Sequence, residues 1–456
     1  MKVCKFGGSS VSDANQIRKV CNIILADPTR QIVVVSAPGK RSKEDTKITD
    51  MLMHCAEARL AEGDWESLLA PVVERYTDIC RDLELDPAVA TAITNALHDT
   101  VAGSIEHVGR YQDAVKAAGE DNSARLIAGA LRKAGCSARY LNPGEAGLLV
   151  SDEYGHARLL PQSLENLAEL AYTKDIVVFP GFFGYTPGGE IVTFSRGGSD
   201  ITGAILAAAT NAMLYENFTD VDAVYVADPR VIHNPLAVRE LTYREMRELS
   251  YAGFGVLHDE AIIPAVRAGI PICIKNTNAP DAPGTMIVPE HQVIDSRVVG
   301  IAASGGFCTV FISKYLMNRE IGFGRHLLQI FEEEGVSYEH TPSGIDNISI
   351  IIDEAGFPTA TEEVVCRRIK EELEPDNISV EHGMALIMIV GEGMRYAVGV
   401  ASGATRALAE AGVNVEMLNQ GSSEISMMFG VSDEDALPAL RALYREFFEN
   451  PANLTD

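Results

Sequence analysis

Apolar runs of strand length recur along the first two thirds of the chain, and amphipathic or glycine-rich stretches separate them. Several runs are apolar without alternation, as in strands that are buried on both faces of a parallel sheet. The runs lie at residues 1–6, 31–40, 174–184, 212–228 and 269–277. Helical patterns fall between them, for example over residues 12–25 and 200–214. The pattern predicts a layered α/β domain.

Residues 42 to about 135 depart from this rhythm. The stretch has a helical pattern almost throughout and is rich in acidic residues. We expect this helical excursion to be either a cap or interface, or a lid over a site.

An internal repeat follows a change of composition near residues 288–300. Residues 333–352 match residues 410–429 at a constant offset of 77, which pairs Gly335 with Gly412. In each copy a helical stretch comes first and a strand comes last, which is typical of a small ferredoxin-like α+β module. We therefore expect a first domain over 1–292 and a second over 293–456, with modules at about 298–370 and 378–450.

Composition and net charge argue against several classes of function. Of 456 residues, 46% are hydrophobic, and Lys+Arg 38 against Asp+Glu 64 gives a net charge of −26. Such a charge disfavours binding to nucleic acid or to an anionic membrane. None of the eight cysteines forms a C-x-x-C pair and no H-E-x-x-H occurs, so we expect reduced thiols and no metal-binding side-chain set. No apolar run reaches about 18 residues and no signal-like segment opens the chain, so we expect a soluble protein that is not exported.

The segment KFGGSSVSD, residues 5–13, lies between a predicted strand and a predicted helix. Two glycines there let backbone N–H groups approach an anion closely, and Lys5 adds a point charge suited to phosphate. Neither the P-loop nor the dinucleotide-binding pattern of glycines is present. The segment is either a phosphate site or an ordinary turn, and Ser9, Ser10, Ser12 and Asp13 supply the residue types that begin a helix.

A second glycine pair occurs in TFSRGGSDITGAILA, residues 193–207. Arg196 has the fork of donors that binds a carboxylate with two hydrogen bonds. Ser199 offers a hydroxyl group, and Asp200 could cap the helix, orient Lys5 or approach a metal ion. Helix capping alone does not explain Arg196 and the two glycines. The presence of two glycine-pair loops in one domain therefore favours two anionic ligands that are bound head to head.

Two further segments carry candidate binding residues. NFTDVDAVYVADPR, residues 217–230, is either a solvated loop or a nucleotide site with Arg230 at the phosphates. In GEDNSARLIAGAL, residues 119–131, we expect Glu120 to begin a helix. A carboxylate at that position is either a partner of the helix dipole or a receptor for a substrate's ammonium group.

These four segments, in this order, resemble the aspartate kinases (aspartokinases) of the amino acid kinase superfamily, and the repeat resembles their tandem ACT domains. The similarity covers nearly the whole chain and includes KFGGSSV, SRGGSD, TDVDAVYVADPR and NQGSSEIS. The resemblance implies a three-layer α/β/α amino acid kinase fold followed by two ferredoxin-like ACT modules. It implies the reaction ATP + L-aspartate → ADP + 4-phospho-L-aspartate, with Mg²⁺, at the entry to lysine, threonine and methionine synthesis in the cytoplasm.

The same resemblance assigns residues to the site. Lys5 and Asp200 would be catalytic, with Asp200 organising Lys5 and the phosphate or Mg²⁺ region. The ATP site would comprise Lys5, Gly7, Gly8, Ser9, Thr219, Asp220, Tyr225 and Arg230. The aspartate site would comprise Thr49, Glu120, Phe182, Arg196 and Ser199, in which Glu120 holds the ammonium group and Arg196 and Ser199 the carboxylates. The attacking carboxylate is already ionised, so no general base is needed, which agrees with the absence of a histidine-based catalytic pattern.

One segment departs from the family pattern. Many members have a lysine in FGAKVLHP that helps to hold the nucleotide. Here YAGFGVLHDEA has Gly255 at the lysine position and Asp259 at the proline position. We expect the nucleotide to be held differently or more weakly, with Lys275 as a compensating cation. An ATP KM unchanged in Lys275→Ala would contradict that compensation.

The resemblance also implies regulation at the ACT modules. Residues 313–324 and 342–347 would form a site for lysine or threonine, with lysine favoured over threonine. Its residues would be Met317, Gly322, Ser343, Asp346 and Asn347. Asp346 and Asn347 would satisfy an ammonium group, or are turn residues favoured for backbone reasons. We expect a homodimer or higher homo-oligomer through the ACT modules.

Other interpretations stay open at this point. Glutamate 5-kinase, uridylate kinase and carbamate kinase share the glycine-rich phosphate loop, but the repeat and SRGGSD argue against them. The chain stops soon after the second module, so we expect no fused homoserine dehydrogenase. A second class is an amino-acid sensor whose kinase domain has lost activity. Gly255 favours that class, and Lys5, Arg196 and Asp200 oppose it.

Overall fold

The computed structural model describes residues 1–195, 197–255, 259–292, 297–421 and 423–450. The chain divides into two compact units. The first comprises Met1–Val224, Ala237–Met246 and Gly255–Gln292, and the second comprises Tyr225–Leu236, Arg247–Phe254 and Val293–Asp456.

The first unit contains both strands and helices, with four helices in succession after β2. Its strands are β1 Lys2–Phe6, β2 Arg30–Val35, β3 Ala138–Tyr140, β4 Ile176–Pro180, β5 Phe183–Tyr185, β6 Ile191–Thr193, β7 Leu214–Thr219, β8 Glu240–Thr242, β9 Ile272–Asn276 and β10 Thr285–Val288. Its α-helices are α1 Ala14–Ala26, α2 Ile48–Leu60, α3 Trp65–Asp82, α4 Pro87–Val101, α5 Val108–Lys133, α6 Gln162–Leu167, α7 Gly198–Ala209, α8 Tyr243–Tyr251, which continues into the second unit, and α9 Ile263–Arg267. Helices α2 to α5 make up the helical excursion.

In the described part of the first unit, eight strands form a mixed sheet in the order β3-β4-β2-β1-β7-β9-β10-β8. All neighbours are parallel except β9 and β10. Strands β5 and β6 form a separate pair. The apolar run at 212–228 is not one strand, because β7 ends at Thr219 and the polar residues that follow form a loop.

Strand β1 lies in the middle of this sheet, and its residues Val3–Phe6 are buried. Cys4 and Phe6 belong to the core that β1 shares with α1 to α5. Side chains alternate along a strand, so Lys5 points to the other face. There α7 packs against β1, β2 and β7. The buried lysine of this strand is therefore directed at α7.

The elements of the second unit follow the internal repeat. Its strands are β11 Gly300–Ser313, β12 Asn347–Asp353, β13 Asn377–Val390, β14 Met417–Asn419 and β15 Ser426–Ser432. Its helices are α10 Phe323–Glu333, α11 Thr359–Leu373, α12 Val400–Glu410 and α13 Ala436–Tyr444. The described strands form one sheet in the order β12-β11-β13-β15-β14.

The two repeats share the long strands β11 and β13. Residues 300–304 pair with 386–390, whereas 307–313 pair with 377–384 and with β12. Gly335 and Gly412, which the repeat aligns, both follow a helix and have φ of 69° and 74°. A residue without a Cβ ends a helix in this left-handed conformation at low cost. No described helix is long and apolar enough to cross a membrane.

Candidate active site

The carboxyl ends of β1, β2, β4 and β7 meet at one edge of the large sheet. Ligands of α/β proteins bind at this edge, because the loops that leave parallel strands converge there. Strands β1 and β4 end next to a glycine, and β7 ends at the predicted site residue Thr219. The candidate site is built from these loops together with the first turn of α7 and the middle of α5.

A buried ion pair lies at the end of β1. Lys5 Nζ is 2.6 Å from Asp200 Oδ1, and Lys5 is only 8% exposed. Asn217 is the neighbour of Lys5 in β7, and its Nδ2 donates to the same Asp200 oxygen at 2.7 Å. Removing two charges from water costs several kcal/mol per ion by rough estimate, so such a pair is poor as a stabilising device. The structure thus brings the two predicted catalytic residues together, fixed by a third.

The loop after β1 is held by backbone contacts. The Gly7 N–H donates to the Phe218 carbonyl at 3.1 Å, and a 3-10 turn follows over Gly8–Val11. A Cβ added at Gly8 would lie 3.0 Å from the Ala37 carbonyl oxygen, which is tight. Ser9 is half-buried in the turn.

Helix α1 begins after this turn. Its N-cap is Asp13, which accepts from the backbone N–H groups of Asn15 and Gln16. Ser10 is not a cap, because its hydroxyl pairs with that of Thr277 at 2.7 Å. Of the expected helix-start residues, Asp13 therefore carries that function, while Ser9 and Ser10 lie in the preceding turn.

Glu120 is buried, with 6% of its surface exposed, and its Oε2 atom has no hydrogen-bond partner among the described residues. Burial raises the pKa of this carboxyl group to about 8, and the facing backbone amide of Ala37 offsets part of the effect. A buried carboxylate oxygen without a partner is costly unless a ligand supplies the missing donor.

The prediction that Glu120 begins a helix is wrong, because α5 starts at Val108 and Glu120 lies in its middle. Gly119, which precedes Glu120 within α5, is a point of close packing, where an added Cβ would lie 2.8 Å from the Ala37 Cβ atom. The dipole interpretation of Glu120 therefore does not apply.

Phe182 and Ser199 lie close together. Phe182 has φ of 79°, which is unusual for a residue with a side chain. Its N–H donates to Thr202 Oγ1 at 3.0 Å, and its carbonyl accepts from the Phe194 N–H at 2.8 Å. A Cβ added at Gly181 would lie 2.7 Å from Ser199 Oγ. Two residues predicted for the aspartate site thus lie next to each other, and these hydrogen bonds hold the strained backbone of Phe182.

The other two residues to be placed in the predicted aspartate site are Thr49 and Arg196. Thr49 is the second residue of α2 and is half-buried. It follows Ile48, whose N–H donates to the Pro38 carbonyl at 3.2 Å. Arg196 lies outside the described residues.

The residues predicted for the nucleotide fall in both units. Thr219 ends β7, and its hydroxyl donates to Asp220 Oδ1 at 3.2 Å. Tyr225 and Arg230 belong to the second unit. Arg230 is largely exposed and pairs with Asp228 at 2.7 Å. That the four residues Thr219, Asp220, Tyr225 and Arg230 form one nucleotide site therefore stays a prediction.

The position that lacks the family lysine is open. A Cβ at Gly255 would meet no atom of the described residues within 4 Å. Residues 256–258 and the side chain of Asp259 lie outside the described part of the chain. Lys275 is half-buried on β9, and its ammonium group makes no ion pair or hydrogen bond with the described residues.

The predicted effector segments lie side by side in the second unit. The Asp346 carbonyl accepts from the Lys314 N–H at 2.9 Å, and its Oδ1 accepts from the Leu316 N–H at 2.9 Å. Met317 is buried in the turn that follows. Gly322 precedes α10 with φ of 86°. Ser343 and Asn347 are exposed. The Oδ1 atom of Asp346 thus stabilises the turn, as expected if Asp346 is a turn residue that is favoured for backbone reasons.

Sequence reasoning missed several residues that the structure brings to the site. Asn217 and Thr202 fix Asp200 and Phe182, and Gly39 lies against the loop after β1. The only local signal was a polar residue, Asn217, within the buried run of β7. Within the described residues, no three His, Cys, Asp or Glu side chains are grouped so that they could hold a metal ion.

Comparison with known proteins identifies the family. Residues 1–276 match the amino acid kinase family, and residues 387–447 match the ACT domain. Aspartokinase 3 of Bacillus subtilis is 55% identical over 98% of this chain and 99% of its own length.

Solved structures agree with this assignment. The aspartate kinase of Clostridium acetobutylicum is 37% identical, with a TM-score of 0.86 over 98% of this chain and all of its own. Escherichia coli aspartokinase III, with aspartate and ADP, is 24% identical and shares the fold at a TM-score of 0.75, again over 98% and 100% of the two chains. The predicted kinase fold with a C-terminal ACT region is confirmed. The chain belongs to the amino acid kinase family, and within that family to the aspartokinases.

Proposed function

We propose that this aspartokinase transfers the γ-phosphoryl group of ATP to the β-carboxylate of L-aspartate. The products are ADP and 4-phospho-L-aspartate, in the first step of lysine, threonine and methionine biosynthesis. One observation carries the proposal. A fixed cation, Lys5, and a buried carboxylate, Glu120, whose Oε2 atom has no partner among the described residues, lie at the same edge of the sheet.

At the phosphate side, Lys5 and the backbone of Gly7, Gly8 and Ser9 bind the anionic groups of ATP. Positioning and charge screening are most of what phosphoryl transfer requires of a protein. The attacking carboxylate is ionised at neutral pH, so no base removes a proton. Thr219, Asp220, Tyr225 and Arg230 complete the nucleotide site in this proposal.

The residues fit Mg²⁺. This ion is usually held by one or two carboxylates plus the phosphates of the substrate, not by a full protein cage. Asp200, whose Oδ1 atom contacts Lys5 and Asn217, is the carboxylate that would hold the ion in this proposal. Bound there, Mg²⁺ would neutralise charge on the phosphates.

At the aspartate side, Glu120 receives the ammonium group of the substrate. The missing partner of Oε2 and the raised pKa of this carboxyl group both agree with a site that is completed by a cationic ligand. Ser199 and Arg196 bind the carboxylates, and Thr49 and Phe182 line the pocket.

A coupled assay of ADP release tests this proposal. With Mg·ATP, we expect ADP release that depends on L-aspartate and that L-glutamate does not replace. No aspartate-dependent release would contradict it, and lysine or threonine binding without turnover would instead favour an amino-acid sensor.

We also propose feedback regulation by lysine, or by threonine, at the first ACT module through Met317, Gly322, Ser343, Asp346 and Asn347. The proximity of their two segments supports this site. Escherichia coli aspartokinase III has been solved in complex with lysine and aspartate. Calorimetric titration with each amino acid, repeated on Asp346→Ala, separates the two effectors and tests the site.

Assembly and location belong to the same proposal. The turns of the first ACT module expose Ile321, Tyr315 and Ile345 by 99%, 75% and 69%, which supports a homodimer through this region. Light scattering during gel filtration gives the oligomeric state. All eight cysteines are free thiols, which supports a reducing compartment such as the cytoplasm.

A further inference from the structure

We infer that Arg75, on α3 of the helical excursion, is a positioning residue for both substrate sites. It holds the chain that follows β2 against the phosphate loop and beside Glu120. The inference deepens the proposed function, on which its kinetic readout rests.

The guanidinium group of Arg75 is buried and binds several groups at once. The residue is 4% exposed. Its Nη1 donates to the Thr46 carbonyl at 2.9 Å, and its Nη2 donates to the Gly39 carbonyl and lies 2.9 Å from Asp45 Oδ2. The planar fork of an arginine can reach two carbonyls and a carboxylate together. One side chain thus fixes both ends of the segment 39–46.

Burial of this guanidinium group costs more free energy than a purely structural contact would require. Arg75 Nε has no hydrogen-bond partner among the described residues, and burial lowers the pKa of the guanidinium group. An apolar side chain of similar volume often stabilises such a position at least as well as a buried charge. The buried cation therefore points to a requirement for this loop geometry.

Gly39 transmits the geometry to the phosphate loop. Its N–H donates to the Gly8 carbonyl at 2.8 Å. A Cβ added at Gly39 would lie only 2.6 Å from the Gly8 carbonyl carbon, so the two backbones are in direct contact. A displacement of Gly39 must therefore displace Gly8.

The same segment also borders the aspartate pocket. Ala37 faces the Glu120 carboxylate, and Ile48, which binds the Pro38 carbonyl, precedes Thr49. The next residue of α3, Tyr76, donates its hydroxyl to the Gly119 carbonyl at 2.7 Å. Consecutive residues of α3 thus brace the β2 loop and the α5 turn that carries Glu120.

Arg41 provides a matched control. Its Nε lies 3.0 Å from the same Asp45 oxygen, but 53% of its side chain is exposed. It reaches the carboxylate from solvent and makes no bond to Gly39 or Thr46 in the described structure. Removing Arg41 removes a charge next to Asp45 and leaves the clamp intact.

The experiment compares Arg75→Met, Arg75→Lys and Arg41→Met in the full-length protein. Steady-state kinetics give KM and kcat for both substrates, and calorimetry gives the Kd and the stoichiometry of L-aspartate binding. Because a displacement of about 1 Å can cost about 100-fold, we expect Arg75→Met to raise the aspartate KM and Kd by about 10- to 100-fold. We expect Arg75→Lys to be intermediate, and Arg41→Met to stay within about twofold, since exposed ion pairs contribute little.

A merely structural role gives a different result. The calorimetric stoichiometry and kcat would fall with the folded fraction, while KM and Kd would stay at wild-type values, and that outcome overturns the inference. If Arg75→Met does not fold, Arg75→Lys carries the test, and wild-type KM and Kd in that variant overturn the inference equally. The wild-type protein in the same assay tests the proposed function separately. If the wild-type protein turns over normally and the Arg75 variants have wild-type KM and Kd, only the role of Arg75 is refuted.

Discussion

The two charged groups at the carboxyl edge of the sheet are prepared for their ligands in opposite ways. Lys5 is already paired with Asp200, and Asn217 fixes that aspartate from the neighbouring strand. Glu120 is equally buried, but one of its oxygens has no partner among the described residues. Within the part of the chain that the structure describes, Lys5 on the phosphate side is thus paired before any ligand binds, whereas Glu120 on the aspartate side keeps an oxygen without a partner.

This difference indicates how each side acts. A fixed cation can screen phosphate charge without reorganising, which is how preorganised charge accelerates a reaction. The pKa of about 8 at Glu120 means that much of the unliganded enzyme carries a neutral acid there at pH 7. The ammonium group of aspartate supplies the missing partner and favours the carboxylate. Binding and ionisation are therefore coupled on one side only.

Lys5→Met removes the fixed cation and should have the largest effect. We expect kcat to fall by about 100- to 1,000-fold, as on loss of one preorganised group that stabilises transition-state charge. The measurement is ADP release at saturating substrates, with aspartate binding by calorimetry as the control. An unchanged kcat would remove Lys5 from the catalytic site.

Glu120→Gln keeps the shape of the Glu120 side chain and removes its charge. A hydrogen bond to a charged group contributes about 1.5–3 kcal/mol, so we expect the aspartate KM to rise by about 10- to 150-fold with the ATP KM nearly unchanged. Steady-state kinetics against each substrate measure this split. An equal rise in both KM values would contradict the assignment of Glu120 to the aspartate side.

The pH dependence of aspartate affinity should follow Glu120. Binding requires the carboxylate, so affinity should rise by up to about tenfold per pH unit towards the pKa of about 8 and then level off. Calorimetry from pH 6 to 9 measures this, and Glu120→Gln should be flat.

Stability should change in the opposite direction. The pKa of Glu120 is raised from 4.5 to about 8 by folding. Its contribution to the free energy of unfolding is therefore present below pH 4.5 and is lost as the pH rises through about 8. Thermal unfolding without ligand should show this loss in wild-type protein and not in Glu120→Gln.

Gly255→Lys should have the smallest effect. The position is open and not in a left-handed conformation, so a side chain fits. We expect the added cation to lower the ATP KM by a few-fold, within the roughly 0.2–1 kcal/mol typical of exposed charge pairs. Lys275→Ala in the same assay tests the compensation by Lys275, and an ATP KM unchanged in both variants would show that neither position meets the nucleotide.

Much of the fold follows from local sequence pattern. Strand β1 ends at the glycine pair, and the repeat places Gly335 and Gly412 at two equivalent helix ends. These features depend on neighbours in the chain, so one sequence is enough to predict them.

The site was less accessible to the same reasoning. Arg75 meets Gly39 from 36 residues away, and Asn217 meets Asp200 from 17. Such contacts depend on which helix packs on which strand, and no local pattern encodes that. The helix that carries Glu120 was predicted to begin at that residue for the same reason, because the residue against which Gly119 packs, Ala37, is distant in the sequence.

The most direct test of the central claim is to trap the product. Hydroxylamine converts an acyl phosphate to a hydroxamate, so wild-type protein with Mg·ATP and L-aspartate should form aspartyl hydroxamate in a one-to-one ratio with ADP. Lys5→Met should form neither at a comparable rate. ADP release without hydroxamate would mean that phosphate passes to water, and the account of a phosphorylated aspartate would be wrong.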